Sequence, residues 1–268
     1  MKTMKSWIAI ATLSLCLLLA FVLGLNPSAT ALAKGVSEAE LSEITAQWKG
    51  SAHALADVNC SSCHQDSEKA FVASPDHESC RSCHEAETDT FLLGKHGIRL
   101  YEGQSPLTPA KARLPMKPEA HGKQMNCNAC HNVHTVNTYE ASVDSCLTCH
   151  NDQHSLNYEN SKHAQLFSGE GRLARPSSAS VTCATCHLPR ETHQGSGNRV
   201  LVNHNNTYNL KPRDRMVADV CMNCHGTEYA YNSIFDNELV ESNFAAPPKL
   251  HLKSFDMVRI LQQKREGK

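Results

Sequence analysis

Aromatic residues are scarce in this chain: two Trp, six Tyr and seven Phe make up 6% of its 268 residues. The hydrophobic fraction of 40% is inflated by one apolar run near the N-terminus. What is left is too little apolar side chain to build an ordinary core for a chain of this length. No excess of one charge exists either, with 26 Lys and Arg against 27 Asp and Glu. That balance excludes the basic surface on which nucleic-acid binding depends. Sustained alternation of polar and apolar residues is missing, so little or no β-sheet is expected. Beyond residue 33, no cysteine stands outside one repeated string.

That string is Cys-x-x-Cys-His, and it occurs six times: Cys60–His64, Cys80–His84, Cys127–His131, Cys146–His150, Cys183–His187 and Cys221–His225. It is the attachment motif of a c-type haem. The two-residue gap spaces the sulfurs to reach both vinyl groups, and the following histidine is held beneath the iron as proximal ligand. Thioether roles thus fall to Cys60, Cys63, Cys80, Cys83, Cys127, Cys130, Cys146, Cys149, Cys183, Cys186, Cys221 and Cys224. Proximal roles fall to His64, His84, His131, His150, His187 and His225. A zinc half-site or a thioredoxin-like dithiol would also use Cys-x-x-Cys. Neither explains a histidine after every pair. Six covalently bound haems are expected, and residues 34–268 leave roughly forty residues for each. The macrocycles must then supply much of the buried apolar surface, so folding should depend on them.

The N-terminus supports export. Lys2 and Lys5 precede an uncharged run from Trp7 to Leu25, and Ala31-Leu32-Ala33 offers a small-x-small cleavage site before Lys34. Residues 1–33 read as a signal peptide, with a retained membrane anchor over 7–25 as the alternative. Both place residues 34–268 in the periplasm. Cys16 lies in this leader, where Leu13-Ser14-Leu15-Cys16 is a poor lipobox.

Internal repetition says more than helix propensity. One block runs from His53 through the first two motifs to Lys95-His96, and a second from His121 through the next two to Lys162-His163. Order and spacing agree to within one residue. Two dihaem repeats, 53–96 and 121–163, are inferred, with a third haem pair in 181–235. A six-coordinate iron needs a second axial ligand. His53, His96, His121 and His163 recur at equivalent places and are distal candidates; His193 and His204 are the candidates for the last pair. The methionines follow no repeat, so mostly bis-histidine ligation is expected.

Short helices and much loop should connect these motifs. Glu38–Trp48 has helical spacing with Ser37 as N-cap. Pro106–Pro118 and the Gly/Ser-rich stretch Leu166–Ser180 read as joins. Asp236–Phe244 and Leu250–Lys264 read as helices of a C-terminal tail, 236–268, interrupted by Pro247-Pro248. The fold expected is mostly α with extensive loop, a single haem-stacked domain.

The motif order over roughly residues 48–235 resembles hydroxylamine oxidoreductase and its octahaem relatives. The resemblance rests on Cys127–His131 with Asn132-Val133-His134, on Cys146–His150 with His154 and Ser161-Lys162-His163, and on Val181-Thr182-Cys183–His187-Leu188-Pro189. Val220-Cys221–His225 with Tyr229-Ala230 continues it. It implies a mostly helical fold, closely paired haems and one haem open to a nitrogenous substrate. The departures bear on activity. Oxidising members carry eight haems and cross-link the catalytic one to a C-terminal tyrosine, whereas no tyrosine follows Tyr231. The family's adjacent Asp-His pair becomes Asp152-Gln153-His154, and no Cys-x-x-Cys-Lys is present. Hydroxylamine oxidation is not expected.

Three functional readings follow. The first is electron transfer between a redox donor and acceptor, a membrane quinol-oxidising subunit being one such partner. The second is reduction of nitrite, hydroxylamine or a similar species at an open haem, matched to the third motif, with Asp152, His134 and His154 as catalytic proton donors. The third is a subunit docked through its tail, where Lys249, Lys253, Arg259, Lys264, Arg265 and Lys268 cluster.

Overall fold

The computed structural model describes residues 36–168, 180–192 and 200–267. The leader, Cys16 and His193 lie outside these residues, as does most of the join at 166–180. By its own contacts the chain divides into two compact units, 1–73 and 74–268. The first dihaem repeat runs across that division.

In the first unit, α1 (Glu38–Lys49) begins at a capping box, in which the Ser37 hydroxyl accepts from the Glu40 N–H and the Glu40 carboxylate accepts from the Ser37 N–H. This reciprocal cap satisfies two of the free donors at a helix start. The Trp48 indole N–H donates to the Val58 carbonyl at 2.9 Å, folding the chain back over α2 (Ala52–Leu55), which carries His53. A 3₁₀ turn, Cys60–Ser62, then opens the first motif.

In the second unit the elements are short: α3 (His77–Arg81), α4 (Glu85–Leu93), α5 (Ile98–Tyr101), α6 (Thr138–Ser142), α7 (Asp144–Leu147), α8 (Gln153–Asn157), α9 (Lys162–Ser168) and α10 (Cys183–His187). A hairpin follows, β1 (Arg190–Thr192) antiparallel to β2 (Val200–Val202), with Arg190 opposite Val202. Next come α11 (Asn206–Leu210), α12 (Arg213–Asp219), α13 (Thr227–Phe235), α14 (Asn237–Glu241) and α15 (Lys253–Arg265). The mostly helical, loop-rich fold is as the composition predicts. Two expected tail helices are present in shortened form, as α14 and α15.

The apolar core is thin. One cluster joins Met216, Val217, Ala230 and Ile234 and leans on Cys186 and Cys221; the other joins Val143, Tyr158 and Ala164 and leans on Cys183. Among the described side chains only Val217, Ser51 and Ser161 are almost fully buried. A core that ends on motif cysteines, with two serines among its most buried residues, is one that expects a cofactor as its filling.

Candidate haem-binding sites

Every motif folds into a single helical turn. In five of them the histidine N–H donates to the carbonyl of the first cysteine, at 2.8 Å for His64, 2.9 Å for His84, 3.0 Å for His131 and His150, and 2.9 Å for His225. In the remaining one, the fifth motif, α10 spans the motif from Cys183 to His187. Side-chain caps set these turns: Asn59 before the first, Asp76 before the second, Asn126 before the third and a Thr182–Thr185 capping box before the fifth. Cap and turn together gather two sulfurs and one imidazole at one end of a rigid loop.

Four of the six motif histidines face a second imidazole. His131 lies 6.3 Å from His204 between ring centroids, His150 6.3 Å from His96, His187 6.2 Å from His154, and His225 6.3 Å from His163. Aromatic rings that merely touch also stand about 4.5–7 Å apart, and what sets these four pairs apart is that each joins a motif histidine to another histidine. An imidazole nitrogen ligates a transition metal at roughly 2 Å, with its ring centroid about 1 Å behind, so trans ligands stand roughly 6 Å apart. The four spacings fit an iron between each pair. At the last pair a cleft of about 320 Å³ opens, lined by His163, His225, Cys221, Lys162, Tyr229 and Phe244.

Ring orientation and protonation agree with that use. The Nδ1–H of His204 donates to the Val202 carbonyl at 2.9 Å, and that of His154 donates to the Val240 carbonyl. Each Nε2 is left to face its partner. Burial, then the neighbouring His150 and His204 rings, pushes His96 down to about 4; burial and the His154 ring do the same for His187. Burial also lowers His131, His163 and His204. Neutral imidazoles keep the lone pair that ligation requires.

The thiols that perturb each other most come from different motifs: Cys80 with Cys127, and Cys146 with Cys183. Burial pushes Cys130 up to about 11 and Cys186 up to about 12, whereas hydrogen bonding to Cys127 draws Cys80 down to about 7 and hydrogen bonding to Cys146 lowers Cys183. Among the described residues no group of three or more His, Cys, Asp or Glu is arranged to hold a lone metal ion. Further electrostatic neighbours are Cys130 with Cys146 and Cys186 with Cys221. Successive motifs two, three, four, five and six are thus spatial neighbours in chain order.

The sequence candidates divide accordingly. His96, His163 and His204 each face a motif ring. His53 sits half-buried in α2, and His193 is outside the described residues. His121 caps a 3₁₀ turn, Pro118–Ala120, and its exposed side chain meets no other ring among the described residues. Two of the proposed proton donors are otherwise engaged. His154 faces His187, and Asp152 stands behind the His150 ring, 3.4 Å from Nδ1, while capping α8. His134 follows the third motif, its backbone N–H held by Asn132. Sequence reasoning did not assign His154 as a partner of His187; the available sign was a histidine four residues past His150, which α8 turns inward.

The stretch from α14 to Phe244 is also more than a tail. Val240 holds His154, the Asn243 side chain donates to the His154 carbonyl at 2.9 Å, and that of Asn157 to the Glu241 carbonyl at 3.0 Å. Asn243 and Phe244 have φ of 54° and 58°. That left-handed backbone is costly for Phe, and it places the ring 6.4 Å from His154 and 6.1 Å from His163. Helix α15 buries no residue fully and is tied to α13 by Arg259 and Glu228 at 2.8 Å and by Phe255 against Tyr231.

Residues 52–150, which hold four of the six motifs, match the family model of cytochrome c3. No curated protein sequence matches the chain. Among solved structures, a chain of the Kuenenia stuttgartiensis reducing HAO-like protein complex Kustc0457/Kustc0458 is similar at 19% identity and a TM-score of 0.49, with 76% of this chain and 57% of that one covered. This chain therefore spans less than two thirds of that relative. Over residues 52–150 the motifs and the family match agree on a multihaem c-type cytochrome, a class that binds its haem covalently. Among the described residues no helix is long and apolar enough to cross a membrane.

Proposed function

We propose that this chain is an exported, periplasmic hexahaem electron carrier, in which His204, His96, His154 and His163 are the distal ligands of the third, fourth, fifth and sixth haems. The observation that carries the reading is the set of four ring pairs at 6.2–6.3 Å. A ring opposite His131 also closes the position that the reductase reading would leave open at the third haem. Motifs two to six lie next to one another in chain order, so electrons enter at one end of a row and leave at the other. Donor and acceptor are redox proteins, with a membrane quinol-oxidising subunit the natural donor for a carrier exported by residues 1–33. The first use of this reading is a spin count. The electron paramagnetic resonance spectrum of the oxidised holoprotein, quantified against total haem by intact mass, should give six low-spin centres. A high-spin signal near one haem equivalent would sink the carrier reading and direct attention to nitrite and hydroxylamine turnover.

A further inference from the structure

Resting on the ligand assignment above, we infer that Asp152 is a positioning residue that lowers the potential of the fourth haem and fixes the distal ligand of the fifth. Two contacts of one carboxylate carry this. Oδ2 lies 3.4 Å from Nδ1 of His150, the proximal histidine of the fourth motif. Oδ1 accepts the Ser155 N–H at 3.1 Å, and Oδ2 the Ser155 hydroxyl at 2.9 Å, which caps α8 at its start. That helix carries His154, whose ring faces His187 of the fifth motif.

The partner of a ligating imidazole sets its donor strength. Val202 and Val240 offer His204 and His154 neutral carbonyls. Asp152 instead offers His150 a half-buried anion, its side chain 18% exposed, where solvent screens a charge less than at the surface. Standing 3.4 Å from Nδ1, the carboxylate would act on the ring through its charge and favour the ferric over the ferrous state. The fourth motif occupies the middle of the row from the second to the sixth. Asp152 therefore places a low-potential centre inside the relay and couples its setting to the alignment of the next one.

Asp152→Asn separates the two roles, since asparagine caps a helix as well as aspartate but carries no charge. In potentiometric titration of the Asp152→Asn holoprotein, one midpoint should rise by a tenfold change in its ferric/ferrous equilibrium, about 59 mV for one electron, with all haems still low spin. Asp152→Ala should show the same rise and add a partial high-spin signal, because α8 loses its cap. Unchanged midpoints in Asp152→Asn would overturn the inference and leave the ligand assignment standing. So would equal haem loss in both variants, the mark of a purely structural residue. His96→Ala is the control for the assignment itself: if it leaves all haems low spin, the assignment fails and the inference fails with it.

Discussion

The two dihaem repeats match at their ends and differ at their beginnings. Lys95-His96 and Lys162-His163 close the repeats, and each histidine faces the motif ring two motifs further along, His150 and His225 respectively. The opening histidines are unlike: His53 is half-buried in a helix, whereas His121 is exposed beside a 3₁₀ turn. Equal spacing in sequence thus marks equal duty only where the surrounding residues bury the ring. The forward reach of the closing histidines explains why the repeats cannot stand alone. On the proposed ligation each would lend a ligand to a later motif, tying one repeat to the next.

Even the matching ends are built by different means. In the first repeat Gly94 precedes the Lys-His pair and lies against the segment that presents His204; a Cβ there would stand 2.8 Å from the His204 carbonyl. The Asn206 side chain accepts the Lys95 N–H at 2.8 Å, and Thr90 accepts the His204 N–H at 3.0 Å. One tight contact therefore sets His96 and His204 together. In the second repeat the equivalent residue is Ser161, fully buried, whose hydroxyl caps α9 by accepting from the Ala164 N–H. Gly94→Ala should have the largest effect, because either the His204 loop or the His96 turn must shift. Low-spin character should be lost in part at two haems, the third and the fourth. Loss at one haem only would show that the two ligands are set independently.

Removing a closing histidine touches one site. His96→Ala and His163→Ala should each convert one haem equivalent from low to high spin in the resonance spectrum, with the remaining haems unchanged. If either variant kept all haems low spin, the equivalence of the repeat ends would be broken. A smaller effect is expected from Ser161→Ala. It removes a helix cap worth about 1 kcal/mol and should lower the denaturation midpoint without creating an open iron, since His163 itself remains.

Much of this was legible in the chain. Repetition pointed to covalently bound c-type haem, and the Ser37-x-x-Glu40 pattern located the start of α1. His96, His163 and His204, singled out because two of them recur and the third lies between the last motifs, each stand opposite a motif ring. Pairings such as His154 with His187 were not legible, because that contact closes only when Val240 and Asn243, more than eighty residues away, orient the ring. The role of Phe244 was hidden for a similar reason. A left-handed backbone at two non-glycine residues has no signature in composition. The division of the described chain into two units was not foreseen either, since the expectation of one domain was drawn from haem stacking, and the contacts of the polypeptide alone divide it.

The smallest expected effect is the sharpest test of the comparison. His121→Ala removes an exposed ring that meets no other ring among the described residues, so stability should change by no more than about 0.5 kcal/mol. Haem content, spin state and every midpoint should match those of the unaltered protein. The prediction is informative because the spacing in the sequence argues the other way: His121 precedes its motif much as His53 does. One low-spin haem turning high spin in this variant would mean that holding haem draws the His121 turn inward. The opening histidines would then be as equivalent as the closing ones, and burial in the polypeptide alone would be a poor guide to ligation here. An unchanged spectrum would instead establish that the repeats kept the spacing of their openings while only their endings kept a common duty.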